Sequence, residues 1–301
     1  MDDLKDTDED SGSPDKEKAA QRSTWVSVIV NIALAVAQAI AGVLTHSQGL
    51  IADSIHSLSD LASDFVVLLA LRHSRKAADD DHHYGHQRYE NAASLVLGLL
   101  LFVVGAGMVW GAAAKISQPQ AAAAVAPAAL WVALGSLLAK ELLFRYMLAV
   151  GQRVRSNLLI ANAWHARSDA ASSLVVAIGI GGNLLGVPLF DPIAAAIVGF
   201  MVGKTGWSFL WEALHDLTDR AATAEETESI RREILGTPGI LGVHDLRTRR
   251  TGDLLLVDAH LEVDGSLTVE EGHRIAVDAR RRVMERHPVL NMMTHVDPRQ
   301  V

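Results

Sequence analysis

Gly49-Leu-Ile-Ala-Asp53-Ser-Ile-His56-Ser-Leu-Ser-Asp60-Leu-Ala-Ser-Asp64 leads directly into the apolar run Phe65 to Leu71. A shorter echo, His165-Ala-Arg-Ser-Asp169, returns later in the chain. Both place His-x-x-x-Asp inside a segment with the length and hydropathy of a membrane crossing. Four residues turn an α-helix through about 400°, so His56 and Asp60 share a face, as do His165 and Asp169. Ionisable groups at membrane depth are costly unless they face a protein interior or an aqueous path. Two imidazoles and two carboxylates brought together make a four-coordinate N/O site for a divalent metal, zinc before others. The alternative is a pair of polar helices bonded to each other; a lone histidine would favour it, whereas two repeated pairs favour the metal. Asp53 and Asp64 fall on the same arc of the helix and either line the ion path or sit near the two membrane interfaces. Arg167 points away from the His165/Asp169 face and pairs with a carboxylate or snorkels.

Working outward, the 301 residues are 50% hydrophobic and 5% aromatic, which suits one helical membrane domain with a modest soluble domain. The formal net charge of −8 comes partly from an acidic N-terminus. No basic stripe with interleaved aromatics points to nucleic acid. With no cysteine, disulfides and thiolate sites are excluded, and a transition-metal site must use His, Asp and Glu. Residues 1–22 are polar and acidic, read as a disordered tail rather than a signal peptide. Six crossings are the most economical count: 23–45, 50–71, 91–114, 121–149, 158–182 and 191–212. The second and fifth are the weakest by hydropathy because of their charges. Arg72, Arg75, Lys76 and Arg88 follow the second segment and Arg153 and Arg155 follow the fourth, while the other connections hold only Lys115. The positive-inside bias makes those two loops, and with six crossings both termini, cytoplasmic.

The chain thus divides into a tail (1–22), a six-helix transmembrane domain (23–213) and a cytoplasmic metal-binding domain (214–301). In the last, Ala224 to Leu235 reads as an amphipathic helix stopped by Gly236-Thr-Pro-Gly239. Ile240 to Arg249 and Leu254 to Val263 read as strands of a hairpin turning at Thr251-Gly252-Asp253. A second helix runs from Thr268 to about Arg286, with Thr268 and Glu271 fitting a capping box. Leu290 to Val296 is a last strand, and the order α-β-β-α-β predicts a small α+β domain with its helices on one sheet face.

Two more clusters suit a metal. Asp79-Asp-Asp-His82-His83-Tyr-Gly85-His86 packs three carboxylates and three imidazoles into one loop, with Gly85 allowing a tight turn; a solvated polar loop is the other reading. In the soluble domain, His295 and Asp297 share a strand face, and His244 and His260 lie on strands expected to pair. His273 lies on the second helix. The convergence of three strands favours a metal site there over scattered surface histidines.

With these residues in place, the chain resembles the cation diffusion facilitator family, especially its bacterial zinc/iron exporters. Gly49 to Asp60, Asp79 to Glu90, Trp164 to Asp169, Asp219-Arg220, His244 to Arg249, His260-Leu-Glu262 and His295 to Pro298 carry the resemblance, which spans about residues 20–300. It implies a homodimeric metal/proton antiporter, not an enzyme, with six transmembrane helices and a metallochaperone-like cytoplasmic domain. It implies a transport site at His56, Asp60, His165 and Asp169, and a loop site at Asp79, His82 and His86. It further implies a binuclear site at His244, His260, His273, His295 and Asp297, with Asp297 bridging the two ions. Arg88 and Asp219 match a charge pair that joins membrane and soluble parts. Close bacterial relatives often place Asp where His56 stands; the His-Asp/His-Asp set resembles zinc-selective transporters instead. Val296 stands where some relatives have a polar residue.

Metal binds deprotonated ligands and so competes with protons, and imidazoles, with a reference pKa of about 6.5, suit that exchange. The expected activity is Zn²⁺ export by alternating access with protons as counter-ion, in a bacterial inner membrane among its lipids. Two other classes are weaker. A membrane metallohydrolase needs a general base outside the ligand set, and neither motif offers one. A non-transporting metal sensor or scaffold would not need intramembrane ligands. Within the transporter class, a broader exporter of Fe²⁺, Co²⁺, Cd²⁺ or Mn²⁺ is the alternative.

Overall fold

The computed structural model describes residues 14–74, 76–117, 125–154 and 157–299. Six long helices come first: α1 (Pro14–Thr45), α2 (Gln48–Ser74), α3 (Arg88–Ile116), α4 (Ala128–Val154), α5 (Asn157–Leu184) and α6 (Phe190–Leu217). They are followed by α7 (Ala224–Leu235), β1 (Gly242–Thr251), β2 (Leu254–Asp264), α8 (Val269–Arg286) and β3 (Val289–Arg299). The chain forms two compact units, residues 1–65 with 98–207 and residues 66–97 with 208–301.

The expected tail is shorter than the sequence suggested. Residues 1–13 lie outside the described residues, but α1 already begins at Pro14, and only its Arg22–Thr45 part is apolar enough to cross a membrane. Proline is favoured at a first helical position, and Asp-Lys-Glu-Lys-Ala-Ala after it contains mostly good helix formers, so charge here marks a helix leaving the bilayer. The opening of the expected fourth crossing, 121–124, and Arg75 and Arg155 also fall outside the described residues. Four helices are long and apolar enough to span by themselves: the apolar part of α1 with α2, α3 and α6. Despite its carboxylates α2 is among them. The two that fall short are α4, interrupted by Lys140, Glu141 and Arg145, and α5, interrupted by His165, Arg167 and Asp169. Their polar groups are those that other helices must satisfy. Outward-facing Trp25, Ile29, Val36 and Ile40 on α1, Leu99, Val103 and Trp110 on α3, and Phe200 on α6 are exposed, as lipid-facing residues are.

Within the first unit, α4 packs along α5 and against α1, burying Leu143, Phe144, Met147, Ala163 and Ala166. Leu50, Ala52, Ala129, Val176, Ile180 and Val198 form the other core cluster. Gly105 on α3 meets the backbone of Gly199 and Gly203 on α6, where a Cβ has no room; small residues let membrane helices approach this closely. The start of α2 is held by a carboxylate from α6. Asp191 is buried and accepts from Ser47 Oγ (2.6 Å), Gln48 N (2.7 Å) and Gly49 N (3.2 Å). Ser47 in turn accepts from Leu50 N (3.2 Å) as the N-cap of α2. A Cβ on Gly49 would stand 3.0 Å from Asp191 Oδ1 and 3.1 Å from Val176, so the first glycine of the motif is the residue that lets this cap close.

In the second unit, the C-terminal segment forms a three-stranded sheet in the order β1-β2-β3, with β1 antiparallel and β3 parallel to β2. Leu255, Val257, Ala259, Leu261 and Val263 alternate inward and pack with Ile230, Ile234, Ala276, Ala279 and Val283 of α7 and α8. Asp258, His260 and Glu262 therefore take the opposite face. Both helices start in complete capping boxes, Thr223/Glu226 and Thr268/Glu271. Glu233 of α7 receives Arg282 Nε (2.9 Å) and Arg286 Nη1 (2.9 Å) of α8; the Arg282 bond, working against burial and joined by that of Arg286, lowers the Glu233 carboxyl below its ordinary value.

Removing the α2 cap with Asp191→Ala strands three buried donors and is expected to cost about 1–3 kcal/mol. The check is the thermal midpoint of the detergent-solubilised chain, with Asp191→Asn losing less; unchanged melting would show that the α6 carboxylate does not hold α2.

Candidate metal centre

The first cluster grows from the helical period of α2 and α5. His56 Nδ1 lies 3.5 Å from Asp60 Oδ2, one turn on. One ligand atom each from His56, Asp60 and Asp169 lies within 4.8 Å of the others. His165 stands at the margin: its Nε2 is 4.0 Å from Asp169 Oδ2, and its side chain is 64% exposed. Three of the four expected residues are thus gathered, and the fourth touches one member of the set. Asp60, His165 and Asp169 border a cavity of about 60 Å³ that also receives Asp64, Ser57 and Lys140, large enough for an ion or a few waters, while His56 meets Asp60 and Asp169 behind its wall. Arg167 lies over the rings of Phe144 and Trp164, 4.8 and 5.3 Å from their centroids, in cation–π contact rather than against a carboxylate.

Asp53 separates from Asp64 at this point. Asp64 lines the cavity, whereas Asp53 is fully buried and held by other helices. It accepts from Ser172 Oγ (2.7 Å), Ser173 Oγ (2.6 Å) and Gln38 Nε2, with Lys140 Nζ 3.5 Å away. Of these partners, Gln38 and the two serines carry no sequence signal of their own, and Lys140 reads along the chain as a charge near the end of a crossing.

The loop cluster is formed by the three residues singled out. Asp79 Oδ1 lies 3.3 Å from His82 Nδ1, and Asp79 Oδ2 lies 3.5 Å from His86 Nε2. His86 is buried, and its Nδ1 contacts the Ala77 carbonyl at 3.2 Å, which turns Nε2 toward the carboxylate. Gly85 has a φ of 83°, the tight turn that brings His86 back onto Asp79. The Lys76 ammonium donates to Asp79 at 2.6 Å and, with the His82 backbone N–H, holds this carboxyl well below the usual carboxylate range. A cation already sits where a metal would. Among the described residues, His83, Asp80 and Asp81 stay out of the cluster. Nearby, Arg88 Nη2 donates to Asp219 Oδ1 at 2.6 Å, so the expected charge pair forms; both side chains are half-exposed, and its role is positional more than energetic.

The third cluster comes from strand register. His244 pairs with His260 across β1 and β2, and His260 with His295 across β2 and β3, placing three imidazoles in one row on the face away from the helices. Asp297 lies at its centre, 2.9 Å from His260 Nδ1, 3.2 Å from His244 Nε2 and 3.3 Å from His295 Nε2. Burial raises the Asp297 carboxyl, but the His260 hydrogen bond and the charges of His295, His260 and His244 outweigh it, leaving it below its ordinary value. The register slips between His244 and Arg247, where Asp245 adopts a φ of 46°. This bulge turns Asp245 to within 3.7 Å of His244 Nδ1, so a second carboxylate joins His244 and His260. Glu262 approaches His244 at 3.9 Å. The sequence pattern missed both acids. His273, expected in this set, is not part of a cluster among the described residues; it sits on α8, beside a separate groove with Val263, Thr268 and Val296.

Comparison with known proteins identifies the two parts of the chain. The cation efflux transmembrane domain matches residues 24–218, and the cation efflux protein cytoplasmic domain matches residues 222–299. Metal tolerance protein C1 of Arabidopsis thaliana is 35% identical over 91% of this chain, which spans 61% of that protein's length. An uncharacterized transporter of Methanocaldococcus jannaschii is 34% identical over 93% of this chain and 99% of its own. Manganese efflux system protein MneS of Bacillus subtilis is 30% identical over 94% of this chain and 97% of its own. The chain belongs to the cation diffusion facilitator family of cation efflux proteins, integral membrane exporters of divalent metal ions.

Proposed function

We propose that this protein exports Zn²⁺ in exchange for protons by alternating access, as a homodimer in a bacterial inner membrane with both termini cytoplasmic. The observation that carries the reading is the gathering of His56, Asp60 and Asp169 donors in otherwise apolar helices, with both carboxylates on the wall of a cavity. One imidazole nitrogen and two carboxylate oxygens fit a tetrahedral zinc shell, and His165 supplies the fourth donor if α5 shifts slightly. Loading then draws His165 in, and release lets it go. Without thiolates the shell is weak enough to open, and protons that occupy the emptied ligands reset the site. The arginine- and lysine-bearing loop between α2 and α3 places its Asp79/His82/His86 cluster on the cytoplasmic side by the positive-inside bias.

In the C-terminal domain, Asp297 between three imidazoles, with Asp245 at one side, supports a pair of ions bridged by Asp297. Bound there, metal tightens the dimer and reports internal metal level. A second reading, export of other divalent ions, has its support in the relative named for manganese efflux and in the oxygen-rich donor set.

Three outcomes are expected. In proteoliposomes with an imposed pH gradient, Asp60→Ala and Asp169→Ala should each reduce zinc flux at least a hundredfold, about the cost of one lost direct ligand. Undiminished flux in correctly folded variants would remove the transport assignment. His56→Asp should shift competition between Zn²⁺ and Cd²⁺ toward cadmium, and an unchanged ratio would take His56 out of selectivity. Asp297→Ala should abolish zinc-induced dimer tightening, read by sedimentation equilibrium of the full chain in detergent; tightening that persists would move the ions away from this carboxylate.

A further inference from the structure

Beside the transport cavity lies a buried charge pair that neither histidine motif includes. Lys140 of α4 has a side chain only 3% exposed, and that of Asp53 is 0% exposed. Lys140 Nζ lies 3.5 Å from Asp53 Oδ1, 3.3 Å from Ser57 Oγ and 3.4 Å from the backbone oxygen of Asp169. It also lines the cavity together with Asp60, His165 and Asp169, while Asp53 does not. The ammonium therefore stands between the cavity and a carboxylate buried behind its wall.

Charges in a low-dielectric interior act over longer distances than in water, so the ions lining a site and those just behind it both set its potential. Asp60, Asp64 and Asp169 already bring three carboxylates to the cavity wall. An unpaired Asp53 would add a fourth, and a site with more carboxylate charge favours oxygen-preferring ions such as Mn²⁺ over Zn²⁺. An unpaired Lys140 would instead oppose any cation.

We propose that Lys140 and Asp53 are a fixed counter-charge pair that keeps Asp53 from adding to the negative charge of the transport site, and so sets metal affinity and the choice between Zn²⁺ and Mn²⁺. Both are positioning residues that act through the site without ligating metal. The proposal rests on the reading of His56, Asp60 and Asp169 as the transport site.

A merely structural pair and a charge-setting pair differ in the sign of their effects. The experiment measures Zn²⁺ and Mn²⁺ dissociation constants in detergent by competition with a metal-sensitive dye, on the full chain carrying Asp79→Ala, His86→Ala, His260→Ala and Asp297→Ala so that the loop and sheet clusters do not contribute. Lys140→Met is expected to tighten binding by about tenfold and raise the Mn²⁺ to Zn²⁺ affinity ratio, and Asp53→Asn to weaken binding by about tenfold. The double variant should return both constants to within about threefold of the starting protein, since the two effects cancel in a coupled pair. Lys140→Gln keeps a donor toward Ser57 and Asp53 and replaces Lys140→Met if the latter does not fold. Shifts of the same sign in both single variants, or no shift in folded protein, would overturn the proposal. Asp60→Ala separates the two levels: if it binds zinc normally, the transport-site assignment has failed, and if it alone loses zinc, the counter-charge pair has failed.

Discussion

A carboxylate with no exposed surface, Asp53, sits among helices whose outer faces are apolar, and much of the first unit is arranged to keep it satisfied. Gln38 from α1, Lys140 from α4 and Ser172 and Ser173 from α5 all converge on it from α2's neighbours. Leaving such a charge without its partner costs on the order of 3–5 kcal/mol, more than most single contacts in a bundle contribute. The same groups fix the rotation of α2 and α5 about their axes. Because Asp53 lies one turn before His56, and Ser172 and Ser173 one turn after Asp169, satisfying the buried carboxylate also brings His56, Asp60 and Asp169 together. Helix packing in a membrane lacks a hydrophobic drive between helices, so polar anchors of this kind and close glycine contacts, such as Gly105 against Gly203, carry the specificity.

Each of the three histidine clusters is assembled by a different local rule. On α2 and α5, the helical period alone puts His and Asp on one face. In the loop, a turn at Gly85 folds His86 onto Asp79. On the sheet, parallel and antiparallel registers meet in one row of imidazoles. The clusters also differ in what occupies them without metal. Lys76 holds Asp79 at 2.6 Å, and Asp297 is held by histidines, whereas the cavity carboxylates have no lysine at hydrogen-bonding distance from their oxygens among the described contacts. Lys140 reaches the Asp169 backbone instead. An ion entering the loop cluster would have to displace an ammonium, and an ion entering the cavity would not.

Residue spacing made the local part of this legible. His56 with Asp60, His165 with Asp169, the Thr268/Glu271 cap and the hairpin at Gly252 each follow from a period or a turn rule. So does the row of His244, His260 and His295 once the strands are assigned. What spacing could not carry were contacts between distant segments. Lys140 meets Asp53 across 87 positions and Asp191 meets Ser47 across 144, and in each case the charge reads along the chain only as an interruption or a boundary. Asp245 was hidden for another reason: a bulge inserts one residue and reverses the side a residue faces, which strict alternation cannot anticipate. His273 went the other way: counted with the other soluble-domain histidines on type alone, it lies on α8 beside another groove. At the N-terminus, charge was taken for disorder when Pro14 and the residues after it continue a helix.

The geometry of the cavity also explains why a transporter and a structural zinc site need not differ in donor type. A closed tetrahedral shell would hold four donors at bonding distance, and its rigidity would make release slow. Here the α2 pair is one helical turn and cannot separate, while Asp169 and His165 ride on α5, so the shell divides between two helices. Motion of α5 relative to α2 is then the natural coordinate for tightening and loosening the site, and His165, still exposed at its edge, is the donor that such a motion gains or loses first. Lys140 bridges that same boundary, with Asp53 and Ser57 on the α2 side and the Asp169 carbonyl on the α5 side, so on the proposed reading one ammonium would both balance the charge and resist the motion.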